Sequence, residues 1–191
     1  MMWGFAALAV LLAAAGKKGG SSVVSGGDDN SQREDEPPNS TGLPVDPAFQ
    51  PYVYESLLSW LYYWGGPKLP VAGLKRGAVL KGLLGDCGGL LWCLFIMAGV
   101  FPEDFPRLLA GDYQTDSRFV RVADSDIRPG DILCYPNHVA GCVGGYGLNC
   151  TVWSDSGGGR QTFGNNPNAR PKLFKGPRYR KDFLFAVRRI A

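Results

Sequence analysis

Residues 85–99 read GDCGGLLWCLFIMAG, and this stretch decides the fold. From Cys87 onward nearly every position is apolar, whereas a helix on a protein surface carries polar residues along one side. We therefore predict a buried central helix that begins at Cys87 and ends near Gly99. Asp86, directly before it, is a residue type that caps helix N-termini.

Short apolar segments bounded by turn signals follow this helix and predict strands. The predicted strands are residues 119–123, 132–135, 138–143, 148–153 and 183–190. Another helix is predicted before the central one, over residues 53–64, because apolar residues recur there at helical spacing. A central helix followed by a meander of antiparallel strands predicts an α+β fold.

The N-terminal part of the chain differs from the rest in composition. Residues 1–15 are continuously apolar, which suits a cleaved secretory signal or a retained membrane-seeking helix; burial inside a larger assembly is a third interpretation. Residues 16–50 are rich in Gly, Ser, Pro and acidic residues and predict a flexible linker. The folded domain is therefore predicted to span residues 51–191.

The composition excludes several classes of function. The 191 residues allow one domain with appendages, and 45% hydrophobic residues suffice to build a core. A net charge of +3 does not require nucleic acid as a partner. Five cysteines are too few for a disulfide scaffold, and a single histidine, His138, excludes zinc sites built from several histidines. We expect neither a metal nor another cofactor.

Cys87 and His138 are the candidate reactive pair. A helix N-terminus presents free backbone N–H groups and a partial positive charge, which favour thiolate over thiol. The position of Cys87 therefore predicts a lowered pKa and a nucleophile. His138 begins a predicted strand 51 residues later, in the order found in papain-like hydrolases. The alternative is a buried structural cysteine and a histidine satisfied by its neighbours.

Four motifs in order resemble those of the NlpC/P60 cysteine peptidases. They are YYWGG at residues 62–66, DCGGLLW at 86–92, RPGDIL at 128–133 and NHVA at 137–140. The family has a Tyr-x-Trp-Gly-Gly turn, an Asp-Cys-Ser-Gly-Leu nucleophile, a Pro-Gly-Asp-Leu strand start and a His-Val-Gly strand. The resemblance covers roughly residues 52–190 and implies a papain-like fold, in which the helix carrying the nucleophile packs on an antiparallel sheet. Gly88 stands where the family usually has serine, and Ala140 where it has glycine.

The resemblance also implies a role for each residue of the site. Cys87 attacks an amide carbonyl, and His138 pairs with its thiolate and then protonates the leaving amine. A polar residue on the next strand orients the imidazole, and by spacing we expect Asn149, with Gln161 as the fallback. The implied substrate-binding positions are Tyr62, Asp86 and Gly88.

Each of these positions also has a structural interpretation. Tyr62 is otherwise an aromatic residue of the core, and Asn149 is otherwise a polar residue near a turn. Asp86 caps the helix, binds a substrate amine, or does both. In the family, the serine at this position helps to hold the substrate peptide. Because Gly88 lacks that side chain, the resemblance does not define the peptide specificity of this chain. The remaining cysteines lie in apolar contexts and are expected to be inert packing thiols: Cys93, Cys134, Cys142 and Cys150.

The implied activity is hydrolysis of amide bonds in peptidoglycan stem peptides, for cell-wall lysis or remodelling. The N-terminal segment suits a bacterial envelope enzyme or a phage-encoded, virion-associated hydrolase, with membrane or virion proteins as further partners. Two alternatives stay open, a non-catalytic structural or wall-binding protein that keeps the peptidase fold, and a CHAP-type amidase.

The C-terminal segment of residues 155–191 is basic, with nine Lys or Arg against two Asp. This charge predicts a solvated loop or attraction to an anionic surface, and no nucleic-acid motif accompanies it.

Overall fold

A computed structural model of the chain describes residues 42–63, 72–155 and 170–190. In these residues two helices accompany a six-stranded antiparallel sheet and a two-stranded parallel sheet, so the predicted α+β class is confirmed. The helices are α1 (Gln50–Ser59) and α2 (Cys87–Met97). The strands are β1 (Leu61–Tyr62), β2 (Leu84–Gly85), β3 (Phe119–Val122), β4 (Ile132–Tyr135), β5 (His138–Gly144), β6 (Thr151–Ser154), β7 (Lys172–Lys175) and β8 (Phe185–Arg189).

The large sheet has the strand order β3–β8–β4–β5–β6–β7. β4, β5 and β6 are antiparallel neighbours, as a meander requires, with Tyr135 opposite His138 at the turn between β4 and β5. The C-terminal strand β8 lies between β3 and β4. The sequence does not predict β7, because this edge strand is four residues long and begins and ends with an exposed lysine.

Strands β4, β5 and β6 are buried on both faces, so the two faces of β5 contact different clusters. Val139 and Val143 belong to the main core with α2, whereas Ala140 and Cys142 belong to a second cluster. Because strand side chains alternate between faces, His138 shares the face of Ala140. Its ring lies 5.6 Å from the ring of Tyr135, a member of the second cluster.

α2 packs directly on β5, as expected for a helix that is apolar all round. A Cβ atom on Gly141 of β5 would lie 2.9 Å from both Leu91 Cδ1 and Phe95 Cε1 of the helix. Glycine at this position therefore lets the helix approach the sheet closely. The first residue of α2, Cys87, is held against the beginning of the same strand.

α1 departs from the predicted helix of residues 53–64. It begins at Gln50 and ends at Ser59, since Trp60 is extended and buried, with its indole N–H donating to the Leu80 carbonyl at 2.8 Å. The chain then continues as β1, which pairs with β2. A long-range pairing thus ends the helix before the predicted Gly-Gly-Pro stop, which lies outside the described residues.

The predicted boundary between linker and domain at residue 50 is wrong. Val45 and Phe49 are buried in the main core, and the Asp46 N–H donates to the Val143 carbonyl at 2.8 Å. The Thr151 hydroxyl donates to the Pro44 carbonyl at 2.6 Å. The domain therefore includes residues from about Pro44 onward. The predicted segment 1–15 and the linker up to residue 41 lie outside the described residues, and no described helix has both the length and the apolar character that crossing a bilayer needs.

Candidate active site

The short parallel sheet positions the start of α2. Tyr62 pairs with Gly85, which directly precedes Asp86 and Cys87. Asp86 then caps the helix, since its Oδ1 accepts a hydrogen bond from the Gly89 N–H at 2.7 Å. The predicted capping role of Asp86 is confirmed. Tyr62, Asp86 and Cys87 are thereby brought together, as the motifs indicated.

The thiol of Cys87 is buried, with 5% of the residue exposed, and burial dominates its ionisation. Burial raises the pKa of Cys87 to about 11, and the carboxylates of Asp86 and Asp155 also raise it. Hydrogen bonds from the backbone N–H groups of Val139 and Gly88 act in the opposite direction, because they favour the thiolate. The lowered pKa expected from the helix N-terminus is therefore wrong for this site, where desolvation outweighs the helix.

Asp155 is a residue of the site that the motifs did not indicate. Its side chain is fully buried directly after β6, and neither carboxylate oxygen has a hydrogen-bond partner within the described ranges. Burial and the nearby Asp86 raise the pKa of Asp155 well above its usual value. Burial also raises the pKa of Tyr62, and the nearby Cys87, Asp155 and Asp86 add to that shift. An acidic residue directly after a fully buried strand was the available signal.

The imidazole of His138 is held by hydroxyl groups. His138 Nε2 lies 2.9 Å from Ser154 Oγ, and Tyr179 Oη lies 2.7 Å from the same serine oxygen. Burial lowers the pKa of His138 to about 4, and the Arg180 guanidinium lowers it further while Asp182 opposes the shift. His138 is therefore neutral at pH 7, as is Cys87.

The prediction that Asn149 orients the imidazole is wrong. Asn149 is exposed and ends the 3-10 turn Gly147–Asn149, ahead of β6. Ser154, at the end of β6, occupies the position beside Nε2 instead. The spacing argument failed because the connection between β5 and β6 contains this extra turn, and the predicted strand stopped at residue 153. The fallback residue Gln161 lies outside the described residues.

Gly88 is packed against the chain segment of residues 105–110. A Cβ atom at position 88 would lie 3.0 Å from the Leu108 carbonyl oxygen and 3.5 Å from the Ala110 nitrogen. The same segment supplies Arg107, which pairs with Asp86 Oδ2 at 2.7 Å. The segment thus fills the space that a serine side chain at position 88 requires, and Asp86 is occupied by the helix cap and by Arg107.

The other four cysteines are buried and free of disulfide bonds, in agreement with packing positions. Cys142 and Cys150 lie in the second cluster, where the Cys142 thiol donates to the Gly144 carbonyl at 3.6 Å. That all four are inert stays a prediction.

The described arginines of the basic C-terminal part are engaged within the chain. Arg188 pairs with the buried Asp131 at 2.7 Å, and Arg180 with Asp182 at 2.7 Å. The remaining described arginines contact a backbone carbonyl, a carboxylate or an aromatic ring: Arg170, Arg178 and Arg189. Lys172 and Lys175 are exposed, as the solvated interpretation predicts, but they lie in strand β7 rather than in a loop, and Arg160 lies outside the described residues.

Fold and site together define an α+β protein with a cysteine at the N-terminus of a buried helix, packed against the strand that begins with its only histidine. Comparison of the chain with protein-family models, with curated proteins and with solved structures finds no match. Among residues 42–63, 72–155 and 170–190, no group of three or more metal-ligating side chains is assembled.

Proposed function

We propose that the protein is a cysteine peptidase of the papain-like NlpC/P60 type that hydrolyses amide bonds in peptidoglycan stem peptides. The observation that carries the proposal is the position of Cys87 at the capped N-terminus of α2, against the Val139 N–H next to His138. A buried structural cysteine does not require a helix N-terminus, a glycine-rich first turn and the only histidine of the chain on the adjoining strand.

The neutral state of both groups sets the order of proton transfers. Cys87 gives its proton to His138 as the sulfur attacks the amide carbonyl, and the imidazolium then protonates the leaving amine. The bond to nitrogen breaks, which leaves a thioester on Cys87. Water, deprotonated by His138, attacks the thioester and restores the thiol. Because Ser154 engages Nε2, Nδ1 is the nitrogen that takes and returns these protons.

The backbone N–H groups of Gly88 and Val139 support the sulfur during this sequence. Both favour negative charge on Cys87, and neither moves with the substrate. Tyr62 and Asp155 lie close enough to interact electrostatically with Cys87 and so border the reacting sulfur. We assign substrate contact to Tyr62, and to Asp86 the capping of α2 rather than the binding of a substrate amine.

A non-catalytic protein that keeps the peptidase fold is the second candidate. The small exposed fraction of Cys87 and the segment of residues 105–110 packed on Gly88 favour it, since both restrict access to the helix N-terminus. A CHAP-type amidase shares the order of cysteine and histidine and differs in the bond that it cuts.

Digestion of purified peptidoglycan separates these candidates. The wild-type chain is compared with Cys87→Ala and with the matched control Cys93→Ala, which removes a buried thiol from the same helix. Mass spectrometry of the fragments identifies the cut bond. Release of peptide fragments by wild type and Cys93→Ala, but not by Cys87→Ala, supports the peptidase. Cuts between the glycan chain and the peptide support an amidase, and no fragments from any variant support the non-catalytic protein.

The proposal includes a location in the cell envelope or in a phage virion, because such a protein encounters stem peptides there. Electrostatic attraction to an anionic wall contributes less, because the described C-terminal arginines are engaged within the chain. Exposed lysines remain for such attraction: Lys172, Lys175 and Lys181.

A further inference from the structure

Two hydroxyl groups lie in series beside the imidazole of His138. Ser154 Oγ is 2.9 Å from His138 Nε2, while Tyr179 Oη is 2.7 Å from Ser154 Oγ and 3.5 Å from Nε2. Tyr179 belongs to the 3-10 turn Pro177–Tyr179, and its ring stacks on Phe174 with a centroid distance of 4.2 Å. The stacking holds the phenol hydroxyl beside the serine.

The hydrogen atoms of this series have two consistent arrangements. A hydroxyl donates one hydrogen bond and accepts up to two. In the first arrangement Tyr179 donates to Ser154 and Ser154 donates to Nε2, so neutral His138 carries its proton on Nδ1. In the second, Nε2–H donates to Ser154 and Ser154 donates to Tyr179 Oη, which leaves Nδ1 without a proton. Only the second arrangement leaves a lone pair on Nδ1, which the proposed function requires for the proton of Cys87.

We infer that Tyr179 is a positioning residue that sets the tautomer of His138 through Ser154. Ser154 is buried, so its hydroxyl hydrogen requires an acceptor. Within the described part of the chain, the Ser154 hydroxyl is bonded to Nε2 and to Tyr179 alone. Tyr179 Oη is therefore the acceptor that allows Ser154 to turn away from Nε2. Without it, Ser154 donates to Nε2 and keeps the proton on Nδ1.

The contacts allow both arrangements, so the choice of the second one rests on the proposed function, whereas the coupling of Tyr179 to His138 through Ser154 rests on the contacts. The chain contains one histidine, so nitrogen-15 NMR of the full-length protein with labelled histidine reports a single imidazole. The two ring nitrogens have distinct shifts when protonated and when bare. The tautomer is thus measured directly, without assignment among several histidines.

The experiment compares wild type with Tyr179→Phe near neutral pH. We expect the spectrum of wild type to contain a bare Nδ1 and that of Tyr179→Phe to show Nδ1 protonated. On stem peptides, Tyr179→Phe should lower kcat by about tenfold or more with little change in KM, because a base in the wrong tautomer does not take the thiol proton. Tyr113→Phe is the matched control, since its buried phenol hydroxyl has no hydrogen-bond partner among the described residues.

A double-mutant comparison separates positioning from a loss of structure. In a Ser154→Ala background there is no serine hydrogen to redirect, so adding Tyr179→Phe should leave tautomer and kcat unchanged. Imidazole signals that are the same in wild type and Tyr179→Phe overturn the inference, as does an equal loss of kcat with and without Ser154. If wild type cuts no peptide, the proposed function fails while the NMR comparison still decides whether Tyr179 sets the tautomer.

Discussion

At the scale of single residues, the ionisation of Cys87 and His138 follows from their burial. Desolvation penalises a charged form, so it moves the pKa of a thiol up and that of an imidazole down. Ser154 and Tyr179 are neutral partners and offer His138 no negative charge that would offset this cost. A carboxylate in the place of Ser154 would favour the imidazolium. The resting site is therefore a neutral pair rather than an ion pair.

The alkylation of Cys87 should reflect this neutral state. Because burial raises the pKa of Cys87 to about 11, the rate of reaction with iodoacetamide should keep rising with pH beyond the pH at which an unperturbed thiol levels off. Rates are followed by mass spectrometry of the peptide containing Cys87. A rate that levels off below neutral pH would show a thiolate–imidazolium pair. His138→Gln, the companion variant, should leave the curve in place, because a neutral imidazole places no charge near the thiol.

The pH dependence of stability should reveal the buried His138. Its pKa is about 4 in the folded state and 6.5 in the unfolded state, so between these values the unfolded chain binds a proton that the folded chain does not. Stability is therefore full above the unfolded value and is lost as the pH falls toward 4, by about 3 kcal/mol in total. Urea unfolding of wild type and His138→Gln at a series of pH values measures this term as their difference. Parallel curves for the two proteins would contradict a buried neutral histidine.

At the scale of elements, α2 is the part of the site that the sequence determines most directly. Its apolar composition and the Asp86 cap are local signals, and the observed helix Cys87–Met97 begins at the predicted residue. The glycine that follows Cys87 has no local explanation. It is explained by the segment of residues 105–110, which comes into contact only after the chain has folded. Glycine at position 88 is thus explained by packing.

Substitution of Gly88 tests this packing argument. Gly88→Ala places a Cβ atom 3.0 Å from the Leu108 carbonyl oxygen, and a backbone atom does not move aside cheaply. We expect a loss of about 1–3 kcal/mol in the free energy of unfolding, measured with urea. The control is Gly111→Ala, where a Cβ atom meets nothing within 4 Å and the backbone φ of −71° suits any residue. That variant should be neutral or more stable by up to about 1 kcal/mol. Equal effects of the two substitutions would show that residues 105–110 do not constrain position 88.

At the scale of the whole molecule, local patterns predicted the strands that are long or continuously apolar, such as β4 and β5. They did not predict β7 or the parallel pairing of β1 with β2, because these short strands are stabilised by partners far along the chain. The same limit applies to the site. Cys87 and His138 carry motifs, whereas Tyr179 reaches Ser154 from a turn 25 residues away and has no local signature. The sequence therefore indicated the two candidate residues, but not the hydroxyl groups of Ser154 and Tyr179 that contact His138.

The N-terminal boundary of the domain is another long-range feature, and Phe49 tests it. The composition of its segment assigned this residue to a linker, yet only 3% of Phe49 is exposed. Its ring contacts the ring of Phe95 of α2 edge-on, with a centroid distance of 5.7 Å. Removing a buried phenylalanine leaves a cavity in addition to the lost burial, so Phe49→Ala in the full chain should cost about 3–5 kcal/mol in the free energy of unfolding. Ala48→Ser changes the exposed neighbouring residue and should stay within about 0.5 kcal/mol of wild type. If Phe49→Ala unfolds at the same urea concentration as Ala48→Ser, residues 44–49 are a tether after all. A large difference between the two variants instead makes this segment part of the core on which α2, and with it Cys87, depends.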